Sequence, residues 1–345
     1  MMSAMMRVLA LVLSAVSWPS LVCRALGGGA PRPLPQLAAL APAATVPAIL
    51  AVPVAASRSR RLALALAVPA ALLAWWQLPP RPPGRDRLSA DGSAGQDAQP
   101  DIRVLTLNMY GGRAEAKLLV SVLASSDVDV LMAQEVTPDL VARLELAGLP
   151  DLLPYGVVDA RPGHAGAAIW SRWPLTAAKP VPGMALTAPR AVMSLHGRQV
   201  TMTAVHVMAP MRGRDYRWQL ELRLLGSRPT GAGGPELLAG DFNATRDHRP
   251  FRQILAAGYL DTADSAVRRE WPAFTWPSGR QHPPGRRRLP IMRLDHVLVT
   301  REHFAVRESR AISVPGSDHI GVLATVRLVS PGRRPAADGQ ATGRV

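Results

Sequence analysis

The chain divides by hydropathy near residue 100. Before that point lie three long apolar runs, at 8–26, 34–56 and 62–78, and none of them contains Asp, Glu or Lys. Beyond it the apolar groups are short and separated by turn residues. Each early run approaches the ~20 residues that cross a bilayer core. Trp75 and Trp76 close the third run, where an interfacial aromatic belt would lie. Residues 1–78 are therefore expected to form a membrane region with about three transmembrane helices. A competing reading takes the first run as a signal peptide and the rest as a Pro/Ala linker, because Pro42, Pro47, Pro53 and Pro69 interrupt the later runs. The cationic turn at Arg58, Arg60 and Arg61 reads as cytoplasmic. That orientation gives a multi-pass protein of the cell membrane, with the following domain on the extracytoplasmic side. Residues 79–100 are rich in Pro, Gly, Ser and Asp and read as a flexible linker, and 330–345 as a disordered tail.

From residue 101 the pattern changes to alternating short strands and helices. Apolar, β-branched stretches predict strands at 102–107, 128–133, 165–170, 191–195, 200–206, 236–239, 294–300, 306–314 and 320–329. Helical composition and amphipathic spacing predict helices at 114–124, 138–147, 212–225 and 249–256. The second of these has Thr137 as a cap and Pro138 in its first position. Strands outnumber helices and most neighbours read as antiparallel. A two-layer β-sandwich with helices outside fits 101–329.

Composition adds two exclusions and one inclination. The single cysteine, Cys23, allows no internal disulfide and leaves the region after residue 100 without a Cys nucleophile or a Cys zinc site. Aromatic residues make up only 5% of the chain, so no stacking platform for bases is present. The net charge of +15, of which +9 follows residue 100, suits phosphate-bearing partners. Almost all of it is Arg, with Lys117 and Lys179 the only lysines, a bias that genome composition also produces.

Six clusters place a ligating or proton-handling side chain just after an apolar strand. They are Leu105-Thr-Leu-Asn108-Met-Tyr110, Leu131-Met-Ala-Gln-Glu135, Thr203-Ala-Val-His206, Gly240-Asp241-Phe-Asn243, Arg293-Leu-Asp295-His296 and Ser317-Asp318-His319. Phosphoester hydrolysis needs neutralised phosphoryl charge, an oriented and deprotonated water, and a stabilised leaving oxygen. Hard oxygen ligands suit Mg²⁺, with Mn²⁺ as a second choice. Histidines beside carboxylates handle protons near neutral pH. Any one of these residues alone reads as a turn or core residue; the ordered set of six points to chemistry.

The series resembles the endonuclease/exonuclease/phosphatase superfamily over roughly residues 101–329, with Gly-Asp-Phe-Asn and Ser-Asp-His its most distinctive motifs. The resemblance implies an α/β (α+β) four-layer sandwich, with two mostly antiparallel β-sheets flanked by helices. It also implies roles. Glu135 would be the principal metal ligand with Asn108 beside it, and Asp318 holds a position that can also touch metal. Asp241 would orient or deprotonate the attacking water, and Asn243 would bind a phosphoryl oxygen. His319 would bond a phosphate oxygen while paired with Asp295. His206 would stabilise charge or assist the leaving group.

Tyr110 is a candidate lining residue of the cleft, and Arg190 a bidentate phosphate donor. His164-Ala-Gly166 precedes a strand whose end, Ser171-Arg-Trp-Pro174, resembles the family's Ser-Arg-aromatic-Pro segment. His296 stands where the family often has an aromatic residue. The basic insertion 280–293 carries five Arg directly before Asp295 and reads as a guide for polyanions or as a solvated loop. The expected function is a membrane-tethered, divalent-metal-dependent phosphodiester hydrolase, nuclease-like, acting on nucleic acid. An enzyme of the same fold acting on a lipid headgroup, phosphoinositides included, and a non-catalytic membrane-anchored binding protein are the alternatives. No protein partner is expected.

Overall fold

A computed structural model of the chain describes residues 8–12, 14–15, 17–26, 34–57, 59–78, 100–195, 197–211, 213–227, 234–270, 273–278 and 289–329. The expected linker, except residue 100, the tail 330–345 and residues 280–288 of the basic insertion lie outside them.

The N-terminal region is helical where the apolar runs predict it. The apolar stretch Val8–Ala25 ends in α1 (Ser17–Ala25), followed by α2 (Leu34–Ala39), α3 (Ala41–Ala56) and α4 (Arg60–Gln77). The second run is thus split, with Pro42 starting a new helix at α3. Among the described residues one helix, Val8–Ala25, is long and apolar enough to cross a membrane, in place of the three expected. A signal sequence near the N-terminus has the same length and composition. α3 is too short at 16 residues, and α4 is diluted by Arg60, Arg61 and Gln77. Small residues let these helices pack closely, with Ala41, Ala48, Ala70, Leu21 and Leu73 buried together.

The rest of the fold is two packed sheets with helices outside. The chain runs β1 (Asp101–Asn108), α5 (Ala116–Ser125), β2 (Val130–Gln134), α6 (Pro138–Leu146), α7 (Leu149–Leu152), β3 (Tyr155–Asp159) and β4 (Ala167–Ser171). It continues through β5 (Leu175–Pro180), β6 (Pro189–Leu195), β7 (Arg198–His206), α8 (Asp215–Gly226), β8 (Glu236–Asp241), α9 (Arg249–Ala256), β9 (Tyr259–Asp261) and α10 (Thr262–Ser265). It closes with β10 (Arg268–Arg269), β11 (Asp295–Thr300), β12 (Phe304–Ser313) and β13 (Ile320–Leu328). One sheet has the order β10-β12-β13-β1-β2-β4-β3 and the other β5-β6-β7-β8-β11-β9. Both are mixed, because β1–β2, β7–β8 and β10–β12 pair in parallel while the other ladders are antiparallel.

Period-two side-chain direction makes the four layers. Val104, Val130 and Met132 face Met202, Ala239 and Val297 between the sheets. Their neighbours Leu105 and Leu131 turn outward onto Leu119, Leu123, Leu140 and Leu144 of α5 and α6. On the other side Val205, Leu238 and Leu298 meet Trp218, Leu222, Phe251 and Ile254 of α8 and α9. Thr137 caps α6 as expected, its Oγ1 accepting from Leu140 N at 3.3 Å.

Two of the three parallel pairs matter most for the site. Parallel neighbours end at the same edge, so β1 and β2 carry Asn108 and Glu135 to one end of the sandwich. β7 and β8 do the same for His206 and Asp241, which are register partners. β11 starts at Asp295 opposite Asp241, and β13 starts directly after His319.

Candidate active site

Asn108, Glu135, His206, Asp241, Asn243, Asp295 and His319 converge at this end. Asn108 is the bridge between the two sheets. Its Nδ2 donates to Glu135 Oε1 at 3.1 Å and to Asp241 Oδ2 at 3.2 Å, while its Oδ1 accepts from Tyr110 N at 2.9 Å. The side-chain amide thereby turns its oxygen to the backbone, an orientation set by this network. Glu135 Oε2 accepts from Gly111 N at 2.7 Å and also meets His164 Nδ1. His206 Nε2 stands 3.9 Å from Glu135 Oε1 and 4.0 Å from Asp241 Oδ2. Asp241 Oδ1 accepts from Asn243 N at 2.8 Å, and Asn243 Nδ2 donates to Val207 O at 2.9 Å. His319 Nδ1 donates to Asp295 Oδ2 at 2.8 Å, leaving Nε2 directed toward Asp241 Oδ2 at 3.9 Å.

Tyr110, Glu135 and Asn243 hold left-handed backbone, with φ of 50°, 57° and 47°. Non-glycine residues take such conformations at a cost of order 1–3 kcal/mol, and they collect where function requires a side chain to be aimed. Gly240 is needed for a different reason. Its φ is 151°, and a Cβ there would lie 1.9 Å from Val205 O, so only glycine lets β8 approach β7 just before Asp241.

Asp318 lies at the edge of the group, with Oδ1 4.0 Å from His319 Nε2. The Tyr110 ring packs on the Arg113 guanidinium, 4.5 Å from its centroid, so its contribution to the cluster is its backbone N–H. Arg190 is not brought to the cluster. It sits on β6 with Nη2 3.5 Å from Glu236 Oε1, at the opposite end of β8 from Asp241.

Four residues carry more of the site than their sequence positions indicate. Ser317 Oγ donates to Asn108 O at 2.7 Å and accepts from His319 N at 2.9 Å, tying β1 to the Ser-Asp-His turn. Thr275 Oγ1 accepts from Leu294 N and Asp295 N at 3.0 and 3.2 Å. Nothing in the sequence marks Thr275. His296 fills an aromatic position against Phe242 and Phe251 and also bridges Asp261 Oδ2 at 2.7 Å and Ala244 O at 2.9 Å. It thus braces the turn that carries Asn243. His164 is the fourth, through its contact with Glu135.

The electrostatics separate the groups by role. Burial pushes the Asp241 carboxyl up to about 7, a rise His319 resists and Asp295 and Glu135 reinforce. Burial works against charge on His319, yet the carboxylates of Asp295, Asp241 and Asp318 hold it up at about 10. Burial takes His206 down to about 4, so it is neutral near pH 7. The donor set fits a divalent cation. Four carboxylates meet here, and among the described residues no Lys or Arg forms an ion pair with Glu135, Asp241 or Asp295. Asp241, Asp295 and His319 offer ligand atoms within 4.8 Å of one another. His319 Nδ1 is already committed to Asp295, while Glu135 brings two carboxylate oxygens, the hard donors that a divalent ion prefers.

These shifts set a stability profile. Asp241 and His319 bind protons more tightly folded than unfolded, so their contribution is complete at low pH and lost as pH rises through about 7 and about 10. His206 and His248 are both depressed by burial to about 4, so their contribution is lost as pH falls from 6.5 through about 4. Two imidazoles outweigh one carboxyl on the acid side. The melting temperature of the metal-free chain should peak near about pH 6.5 and fall on both sides. A scan in EDTA that climbs steadily to alkaline pH would contradict this.

No curated protein matches the chain. Among solved structures, an endonuclease/exonuclease/phosphatase family protein from Leptotrichia buccalis C-1013-b aligns with a TM-score of 0.52 at 17% identity, over 66% of this chain and 99% of that one. A protein of the same description from Bacteroides vulgatus gives 0.52 at 18%, over 67% and 100%. D. rerio TDP2 complexed with single-strand DNA product gives 0.51 at 16%, over 66% and 99%. At such identities the likeness is one of fold. The sequence profile of the Endonuclease/Exonuclease/phosphatase family matches residues 105–319, from the strand before Asn108 to His319. That match spans more than half of the chain, which belongs to the endonuclease/exonuclease/phosphatase family.

Proposed function

We propose that this chain is a divalent-metal-dependent phosphodiester hydrolase of nuclease type, held at a membrane by its N-terminal helices. The observation that carries the chemistry is the Asn108 bridge. It joins a carboxylate suited to metal, Glu135, to a carboxyl poised near neutrality, Asp241. Glu135 would hold Mg²⁺ or Mn²⁺, with Asp318 near enough to assist. The ion would supply charge neutralisation at the phosphoryl group. Asp241 takes a proton from the attacking water, its pKa matched to that task near pH 7. Asn243 and the charged His319 bind phosphoryl oxygens, and Asp295 keeps His319 protonated and oriented. His206, neutral and close to both carboxylates, faces the leaving oxygen.

The relative with bound single-strand DNA product supports nucleic acid as substrate. The membrane reading draws on the N-terminal surface. Val8, Leu11, Val12, Val46, Leu50, Val68 and Trp75 all turn more than half their surface outward, an apolar exterior that lipid would cover. The full chain in detergent should hydrolyse bis-p-nitrophenyl phosphate, and EDTA should stop it. Parallel assays on plasmid DNA, RNA, phosphoinositide vesicles and sphingomyelin vesicles identify the substrate, with DNA expected fastest. No turnover of any of them with Mg²⁺, Mn²⁺ or Ca²⁺ would end this reading. Faster turnover on vesicles than on DNA would move it to a lipid headgroup.

A further inference from the structure

The segment Arg161-Pro-Gly-His164-Ala-Gly166 is latched to the residue that follows Glu135. Arg161 N donates to Val136 O at 3.0 Å, and Val136 N donates to Gly166 O at 3.1 Å. A Cβ on Gly166 would lie 2.0 Å from Val136 O, so the latch closes only with glycine there. Asp159 holds the segment from its other side, accepting from Arg161 Nε and Nη2 at 2.8 Å each. The outcome is that His164 lies over Gly111, with Cε1 3.5 Å from a Cβ position there, and its Nδ1 meets Glu135 Oε2. The His164 side chain is 63% exposed, so packing does not explain its placement.

An exposed imidazole set by a rigid loop against the outer oxygen of a ligating carboxylate is placed as a second ligand would be. Adjacent ligands of an octahedral ion with bonds of about 2.1 Å stand about 3 Å apart, so a small opening of this pair admits an ion between them. We infer that His164 Nδ1 is a direct nitrogen ligand of the divalent ion held by Glu135, and that the mixed donor set favours Mn²⁺ over Mg²⁺. Imidazole suits the transition metals, whereas Mg²⁺ prefers oxygen. The inference rests on Glu135 as the metal's carboxylate, as proposed above.

The test uses the full chain in detergent, stripped with EDTA and loaded with Mn²⁺. Pulsed electron paramagnetic resonance should show ¹⁴N coupling to the ion, lost in His164→Ala. The dissociation constant for Mn²⁺, read from the free-ion signal, should weaken at least about tenfold in that variant, more than the smallest loss that an outer-shell partner produces. Affinity for Mg²⁺, read by competition, should change less than about twofold. His164→Asp should restore Mn²⁺ binding without the ¹⁴N coupling. Coupling that persists in His164→Ala, or is missing from the parent chain while Mn²⁺ binds, overturns the inference. Glu135→Gln separates the two readings. If it binds Mn²⁺ as the parent does, the metal is elsewhere and the proposed function falls with it. If it loses Mn²⁺ while the parent lacks ¹⁴N coupling, only the assignment of His164 falls.

Discussion

Replacing Glu135 by Gln should lower turnover of a phosphodiester by about three orders of magnitude, comparable to removing a preorganised charge-stabilising group from an active site. The substitution is nearly isosteric. A glutamine Oε1 can still accept from Gly111 N or from Asn108 Nδ2, so the turn after β2 and its left-handed φ of 57° are kept. What is lost is the negative charge that a cation requires. Circular dichroism and the melting temperature should stay close to those of the parent while kcat collapses. Activity within tenfold of the parent would show that the metal is not held here.

The second large effect is expected of Asp295→Asn. Replacing the carboxylate behind a catalytic imidazole by its amide costs about 10⁴ in rate in a Ser-His-Asp hydrolase, and a less tightly coupled pair loses less. A loss of about 10³ is expected here on the same ground. The argument is electrostatic. Burial alone would strip His319 of its proton, and Asp295 is the leading group that holds it at about 10. Parent activity should rise as Asp241 deprotonates near about 7 and fall as His319 deprotonates near about 10. In the Asn variant the alkaline limb should move to lower pH, because the imidazolium no longer has its counter-charge. A profile of unchanged shape would mean that Asp295 acts only in packing.

The site was legible because its groups stand at the ends of apolar strands, Asn108, Glu135, His206 and Asp241 where one closes and Asp295 and His319 where one opens, and strand ends are where sheets deliver side chains. The arrangement was not. That Asn108 and Glu135 are neighbours depends on β1 and β2 running parallel, which hydropathy does not reveal. The strands missed in the sequence are short or exposed. β5 presents almost every residue to solvent, β10 has two residues, and β3 alternates without a buried face. Arg190 reads as a phosphate donor on residue type alone, and register turns it toward Glu236. His296 shows the reverse. It reads as a variation at an aromatic position, and the partners that make it a brace, Phe242, Phe251 and Asp261, all lie 35 or more residues away. In the N-terminal region helices were readable from the runs, while proline and flanking arginine decide which is long and apolar enough to cross a membrane.

The N-terminal helices do not merely precede the sandwich. Arg24 forms an ion pair with the fully buried Asp247, His248 Nε2 donates to Pro35 O at 2.8 Å, and Gln36 Nε2 donates to Pro210 O at 2.7 Å. Asp247 and His248 follow Asn243 by only a few residues, so this joint lies just behind the turn that carries Asn243. Residues 79–99, fully extended, would reach at most about 70–75 Å, and a domain on such a leash could sweep a wide disc of surface. The joint replaces the leash with a bracket. The mouth of the site then keeps one height and one bearing relative to the helices, and collision frequency is set by how fast substrate travels to it, not by the swing of the enzyme.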